Sequence, residues 1–304
     1  MTSRSVALIV VVACSAGACN RERRARLPEG SPAAVELQAE VTARPELVRD
    51  VWGNRMKAAL EQGYLPVASA QAEIRGNLLV LTATLIAEGG CTPEKAQALG
   101  EALKATATRS GRLGIHRVKG EDAELLERQL RDALPANARV STPHDLPGAI
   151  VVTGASADEI TKLAAPMIPP GLSLFREAPR DDATNLRFWL VDEVPALDGR
   201  MVTRAWVEAT ETGAPSVRVS LSDIGARTFS DLTTEVLKQP LPIVFEDEVI
   251  AAPVVMGRIE AGNLQIALPP GRRAEAGAIA AMMTAGGLRE TPKVVSLTAN
   301  CTAQ

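Results

Sequence analysis

The chain has 304 residues, 46% apolar and 23% charged, which is the composition of a globular protein and a length that suits two or three domains. Lys and Arg number 33 against 36 Asp and Glu, a net charge of −3, so the dense basic footprint of a general nucleic-acid binder is missing. Aromatics at 3% provide no stacking platform for bases or sugars.

Arg4 opens the chain's first pattern. Residues 6–13 (VALIVVVA) form an unbroken apolar run, and Ser15-Ala16-Gly17-Ala18 supplies small residues before Cys19. A charged start, a short apolar centre and a small-residue exit describe a secretory signal over residues 1–19. The run is shorter than the roughly 20 apolar residues that a membrane-spanning helix needs. Ala16-Gly17-Ala18-Cys19 resembles a bacterial lipobox, which implies lipidation at Cys19; Ala16 stands where that motif usually has leucine, and Val11-Val12-Ala13-Cys14 is a rival site that would leave a very short apolar core. Arg21, Arg23, Arg24 and Arg26 follow at once and oppose translocation. Residues 20–34, with Pro28, Gly30 and Pro32, read as a solvated tether.

The body alternates strand and helix signals. Residues 35–42 alternate apolar and polar residues as a half-buried strand does. Residues 45–60 place Leu47, Val48, Val51, Trp52, Met56, Ala59 and Leu60 on one helical face, with Gly63 as C-terminal cap. Residues 67–74 and 78–86 read as strands joined by a turn at Arg75-Gly76-Asn77. Thr92 and Pro93 suit the start of a helix whose inner face is Ala96, Leu99, Leu103 and Thr106. Residues 113–118 then read as a closing strand. The order βαββαβ is ferredoxin-like, so residues 35–120 are expected to form a base-like ferredoxin-like unit.

A middle αβ unit is expected over residues 121–200. Leu125, Leu126, Leu130 and Leu134 mark its first helix, residues 148–153 a strand, and Ser156 with Glu159 a capping box. Further strands are read at residues 172–175 and 186–191. A third unit spans residues 201–304, with a strand at 217–221 and a helix turning Phe229, Leu232 and Val236 inward. A hairpin over residues 241–255 turns at Glu246-Asp247-Glu248, a strand follows at 264–268, and a helix at 274–285 buries Ile279, Met282 and Met283. The expected fold class is α+β, two or three ferredoxin-like αβ units with antiparallel sheets.

Chemistry-bearing patterns are few. His116 sits in a strand reading and His144 in a proline-flanked loop, neither beside a Gly-x-Ser-x-Gly element. Dispersed cysteines and two histidines lack metal-ligand spacing, so no metal, cofactor or catalytic residue is expected. Glu246-Asp247-Glu248 reads as an exposed hairpin tip, since three adjacent acids rarely converge on one ion. Cys91 and Cys301 remain after removal of the signal. In an oxidising compartment they are a candidate disulfide, and two unpaired thiols are the alternative.

The third unit carries a family resemblance. Gly213-Ala214-Pro215-Ser216-Val217, followed by Gly225-Ala226-Arg227-Thr228-Phe229 and by Pro242-Ile243-Val244-Phe245-Glu246-Asp247-Glu248-Val249 through Pro253, resembles the head of the first periplasmic domain of SecD. The stretch from Leu190 to Gly199 fits as well, and the likeness is good over residues 186–292 and looser from Pro45. Asp247 stands where the family's hairpin has glycine, and the family's Asp-Leu-x-Gly-Gly stretch is replaced near Val35-Glu36-Leu37-Gln38. The resemblance implies a base and head arrangement and a non-enzymatic, periplasm-facing protein of the cell envelope; SecD's membrane helices have no counterpart in the sequence, and the lipobox-like stretch implies attachment to the membrane only through a lipid on Cys19. It implies unfolded or translocating polypeptide as partner, at residues the sequence does not single out, and Sec translocon components as a second partner. An envelope scaffold that kept the fold without the transport role is the alternative.

Overall fold

The computed structural model describes residues 8–10, 30–42, 44–178, 185–210, 213–260, 262–268, 273–288 and 290–302. Cys14, Cys19, most of the expected signal and the tether as far as residue 29 lie outside the described residues.

In chain order the structure begins with β1 (Leu8–Val10), β2 (Gly30–Glu40), α1 (Pro45–Gln62), β3 (Val67–Arg75), β4 (Leu78–Glu88) and α2 (Pro93–Thr108). Next come β5 (Leu113–Ile115), α3 (Gly120–Ala133), β6 (Arg139–Ser141), β7 (Ala149–Thr153), α4 (Ala157–Ala164), β8 (Leu172–Glu177), β9 (Leu186–Asp192) and β10 (Leu197–Asp198). The last part holds β11 (Val202–Ala209), β12 (Pro215–Leu221), α5 (Asp223–Glu235), β13 (Ile243–Phe245), β14 (Glu248–Ala251), β15 (Asn263–Ala267), α6 (Arg273–Ala285) and β16 (Lys293–Cys301). Two compact units are interleaved along this order. Unit 1 draws on Met1–Gly111, Arg204–Glu208 and Arg272–Gln304, and unit 2 on Arg112–Thr203 and Ala209–Gly271.

Unit 1 is built on a sheet of order β1-β3-β4-β2-β16. The β3–β4 hairpin pairs Arg75 with Leu78 and turns at Gly76, whose φ of 64 is the positive value that two-residue hairpin loops require. Strand alternation turns Val35, Leu37, Leu79, Leu81 and Leu85 to one face, where Trp52 and Met56 of α1 and Leu103 of α2 cover them. Helix α1 ends where expected, with Gly63 at φ 65 and its N–H donating to Ala59 O at 2.9 Å. Thr92 caps α2 by accepting from Lys95 N–H. The four strands β3-β4-β2-β16 and two helices make the ferredoxin-like arrangement, but with a different closing strand from the one read at 113–118. That place belongs to β16, which pairs with β2 from Lys293↔Glu40 to Cys301↔Ala33.

The tether reading also changes at its end. Strand β2 starts at Gly30, and Pro32 pairs opposite Ile86. Pro32 has no N–H to give, but it lies just past the last β2–β16 pair at Ala33, so no ladder bond is forfeited on that side. Its carbonyl accepts from Thr302 N–H.

Unit 2 holds an eight-stranded sheet, β10-β5-β13-β14-β8-β9-β7-β6. The strand read at residues 113–118 is here as β5, paired antiparallel with β10 and β13. Neighbours in this sheet run antiparallel except β14 with β8, which run parallel. Helices α3 and α4 bury Ala123, Leu126, Leu130, Ile160 and Ala164 against Ile150, Val152, Phe188 and Leu190. Leu125, one of the leucines that mark this helix, is exposed. Ser156 caps α4 by accepting from Glu159 N–H. Strands β12 and β15 pair from Ser216↔Ala267 to Ser220↔Asn263.

Candidate polypeptide-binding surface

Among the described residues no group of three or more His, Cys, Asp and Glu side chains is placed to hold a metal ion. His116 is buried at the β5–β9 junction, with Nδ1 2.8 Å from Asp192 O and its ring 5.5 Å from that of Phe175. A carbonyl only accepts, so Nδ1 carries the proton. Burial holds the imidazole below its ordinary pKa, against the smaller upward pull of the Asp192 carbonyl and carboxylate. This histidine is a packed structural group. His144 is exposed.

Two features of unit 1 fix its framework. Arg55 of α1 is fully buried and donates to Thr106 O, Ala107 O, Arg109 O and Ser110 O at 2.6–3.2 Å. Trp52 Nε1 donates to Ala107 O at 2.8 Å. The last carbonyls of a helix have no intrahelical donor, and α1 supplies donors for the end of α2. Gly111, at φ 63, lets the chain pass this guanidinium, since a Cβ there would lie 2.6 Å from Arg55 Nη2. The second feature is a disulfide between Cys91 and Cys301, with Cα atoms 5.7 Å apart and a sequence separation of 210. It ties the β4–α2 loop to the end of β16.

Unit 2 carries an exposed apolar strip. Beyond the β13–β14 hairpin the two chains continue side by side: Leu241 N–H donates to Pro253 O, Val255 N–H to Gln239 O and Lys238 N–H to Val255 O, all at 2.8–3.0 Å. Alternation along this extension sends Leu241 and Val255 inward with Phe229, Leu232 and Val236. The alternate positions Val254 and Met256 are 39% and 84% exposed, and Leu237 and Ile259, at the two ends of the same stretch, are 45% and 37% exposed. Ile259 N–H donates to Thr233 Oγ1 and Arg258 Nε to Ser230 Oγ, fastening the loop to α5. A concavity of about 330 Å³ lies there, lined by Ala226, Arg227, Ser230, Asp231, Arg258 and Glu260. Exposed apolar side chains close together in sequence are the kind of feature that contact surfaces use.

The hairpin tip read from sequence is present. Glu246 and Asp247 form a two-residue loop with φ 54 and 68, both positive as a type I′ turn demands. Arg112 reaches Asp247 at 3.4 Å on the surface. The sequence did not single out the strip. Val249 to Val255 reads as one arm of a hairpin, and only the burial of Val255 between exposed Val254 and Met256 shows which side of it faces solvent.

An α+β protein with a ferredoxin-like sheet and a second, inserted αβ unit is therefore the class the fold defines. Comparison with known proteins gives that class a relative. Residues 175–289 match the family profile described as SecDF, P1 head subdomain. The chain is 36% identical over 76 residues to the protein translocase subunit SecD of Rhodobacter capsulatus, covering 25% of this chain and 14% of that protein. It is 33% identical over 125 residues to SecD of Anaeromyxobacter dehalogenans, covering 38% of this chain and 20% of that protein. The chain thus matches a small part of the length of these curated relatives. Two solved structures share its fold. One is the crystal structure of SecDF in its super-membrane-facing form, with a TM-score of 0.55 and 21% identity, covering 88% of this chain and 30% of that one. The other is from the structure of SecDF described as a membrane component that enhances protein export, with a TM-score of 0.52 and 20% identity, covering 86% of this chain and 98% of that one. The resemblance to the SecD periplasmic domain holds, in sequence over the head and in fold over most of the chain. Among the described residues no helix is long and apolar enough to cross a membrane.

Proposed function

We propose that this chain is an exported, non-enzymatic accessory to protein transport that faces the periplasm and binds extended or unfolded polypeptide through its SecD-head-like unit. The observation that carries the reading is the exposed strip of Leu237, Val254, Met256 and Ile259, which falls inside residues 175–289, the span similar to the SecDF head. A passing chain offers apolar side chains at short intervals in any sequence, and an open apolar strip flanked by the Arg258–Glu260 pair receives them with little sequence preference. The Cys91–Cys301 bridge supports an oxidising compartment, where such bonds persist. A lipid on Cys19 would hold the body at the membrane, within reach of Sec translocon components.

The test is binding of a fluorescently labelled, reduced and permanently unfolded protein, followed by anisotropy. The reading expects saturable binding at micromolar concentration, weakened at least tenfold by Met256→Asp with the melting temperature unchanged. Absence of binding up to high micromolar concentration, or equal binding by the variant, contradicts it.

A further inference from the structure

The edge of the unit 1 sheet at β3 is a place where a strand is accepted. Strand β4 covers one side of β3 over most of its length. On the other side the chain's own Leu8–Val10 pairs antiparallel, as Leu8↔Ala72, Ile9↔Gln71 and Val10↔Ala70. The occupied stretch is Ala70-Gln71-Ala72, and with Ala68 and Ser69 before it this edge has neither charge nor proline over five residues. Natural sheets usually guard an edge with such residues, because its unpaired N–H and C=O groups template another strand. The bulge between Val67 and Ser69 and the charged Glu73 and Arg75 lie on either side of the paired stretch and leave it unguarded. The segment seated on the edge, Leu-Ile-Val, has the β-branched, apolar character that favours strands.

We propose that the β3 edge is a strand-acceptor site for an extended, apolar, β-branched segment of another polypeptide, and that the chain's own Leu8–Val10 fills it until the N-terminal run is removed or drawn away. Backbone hydrogen bonds would supply the affinity, and the small side chains of Ala68, Ser69, Ala70 and Ala72 would let the incoming strand approach with little steric selection. The proposal rests on the pairing in unit 1 alone and stands or falls separately from the apolar strip of unit 2.

Two measurements on the full chain test it, both with Cys14→Ser and Cys19→Ser. The first introduces Ile9→Cys with Gln71→Cys, which face each other in the register, and as control Ile9→Cys with Ala70→Cys, whose side chains lie on opposite faces of the sheet. Mild oxidation is expected to cross-link the first pair and spare the second. Equal cross-linking of both, or none of either, overturns the register. The second uses a lysine-flanked peptide of residues 6–13 as probe. Leu8→Pro/Ile9→Pro removes at least one inward N–H whichever way the strand faces, because neighbouring N–H groups alternate. This variant is expected to bind the peptide at least tenfold more tightly than the chain with Leu8 and Ile9 intact. Equal binding by both chains, or no binding by either, overturns the proposal.

Discussion

The Cys91–Cys301 bridge closes a loop that contains most of the chain, and its removal should be expensive. With a sequence separation of 210 between the two cysteines, the chain-entropy relation gives about 5 kcal/mol at 25 °C for the freedom it takes from the unfolded state. That figure is a ceiling, because a real unfolded ensemble already restricts its ends. A loss of about 2–5 kcal/mol is therefore expected for Cys91→Ser/Cys301→Ser. The structure says where the loss is felt. Strand β16 is the closing strand of the unit 1 sheet and reaches β2 only after the chain has built unit 2. Urea unfolding of the oxidised protein, the reduced protein and the double variant would measure it. Reduction should lower the midpoint of the native protein and leave the double variant untouched. A difference below about 1 kcal/mol between the oxidised protein and the variant would refute the loop argument, and non-reducing peptide mapping with no linked Cys91–Cys301 peptide would refute the bridge itself.

Other perturbations have defined outcomes. Arg55→Met keeps the stem of the side chain but leaves the carbonyls of Thr106, Ala107, Arg109 and Ser110 short of a donor, and should cost about 3 kcal/mol in the same urea experiment; a loss under about 1 kcal/mol would mean that water reaches the end of α2. Burial holds His116 below its unfolded pKa, so the stability tied to its neutral form is complete above the unfolded value near 6.5 and is lost as the pH falls through the folded value. His116→Gln should therefore flatten the acid limb of the stability profile, by up to about 1.4 kcal/mol per pH unit; parallel profiles would show that the imidazole is not desolvated. Asp247→Gly restores the residue best suited to φ 68 and should raise stability by about 0.5 kcal/mol, read as a higher melting temperature. A lower one would mean that the Arg112–Asp247 contact outweighs the backbone preference.

Local chemistry made most of the elements legible. Thr92, Ser156, Gly63 and Gly76 each mark an element end where the structure has one, because caps and positive-φ glycines act within a few residues. Pairing across the chain was not legible. Residues 113–118 carry a strand pattern of suitable length, the sequence reading assigns residues 293–301 no element, and nothing local states that the later segment completes the β2–β4 sheet. The disulfide and the β2–β16 register decide that in space. Pro32 misled for a related reason, since a proline reads as a strand breaker until the neighbouring strand is seen to end one residue short of it. Val254 and Met256 were hidden in a different way. Apolar residues in a strand pattern read as core, and only the buried partners Leu241 and Val255 show that the alternate positions face outward.

The central claim concerns what meets the exposed strip in the cell. A photocrosslinking residue placed at Met256, with His144 as an exposed control position, tests it most directly. The account predicts crosslinks from Met256 to many different exported chains, or to translocon subunits, and none of that pattern from His144. A single repeated crosslink to one folded envelope protein, or identical products from both positions, would contradict it and favour a scaffold built on the same fold.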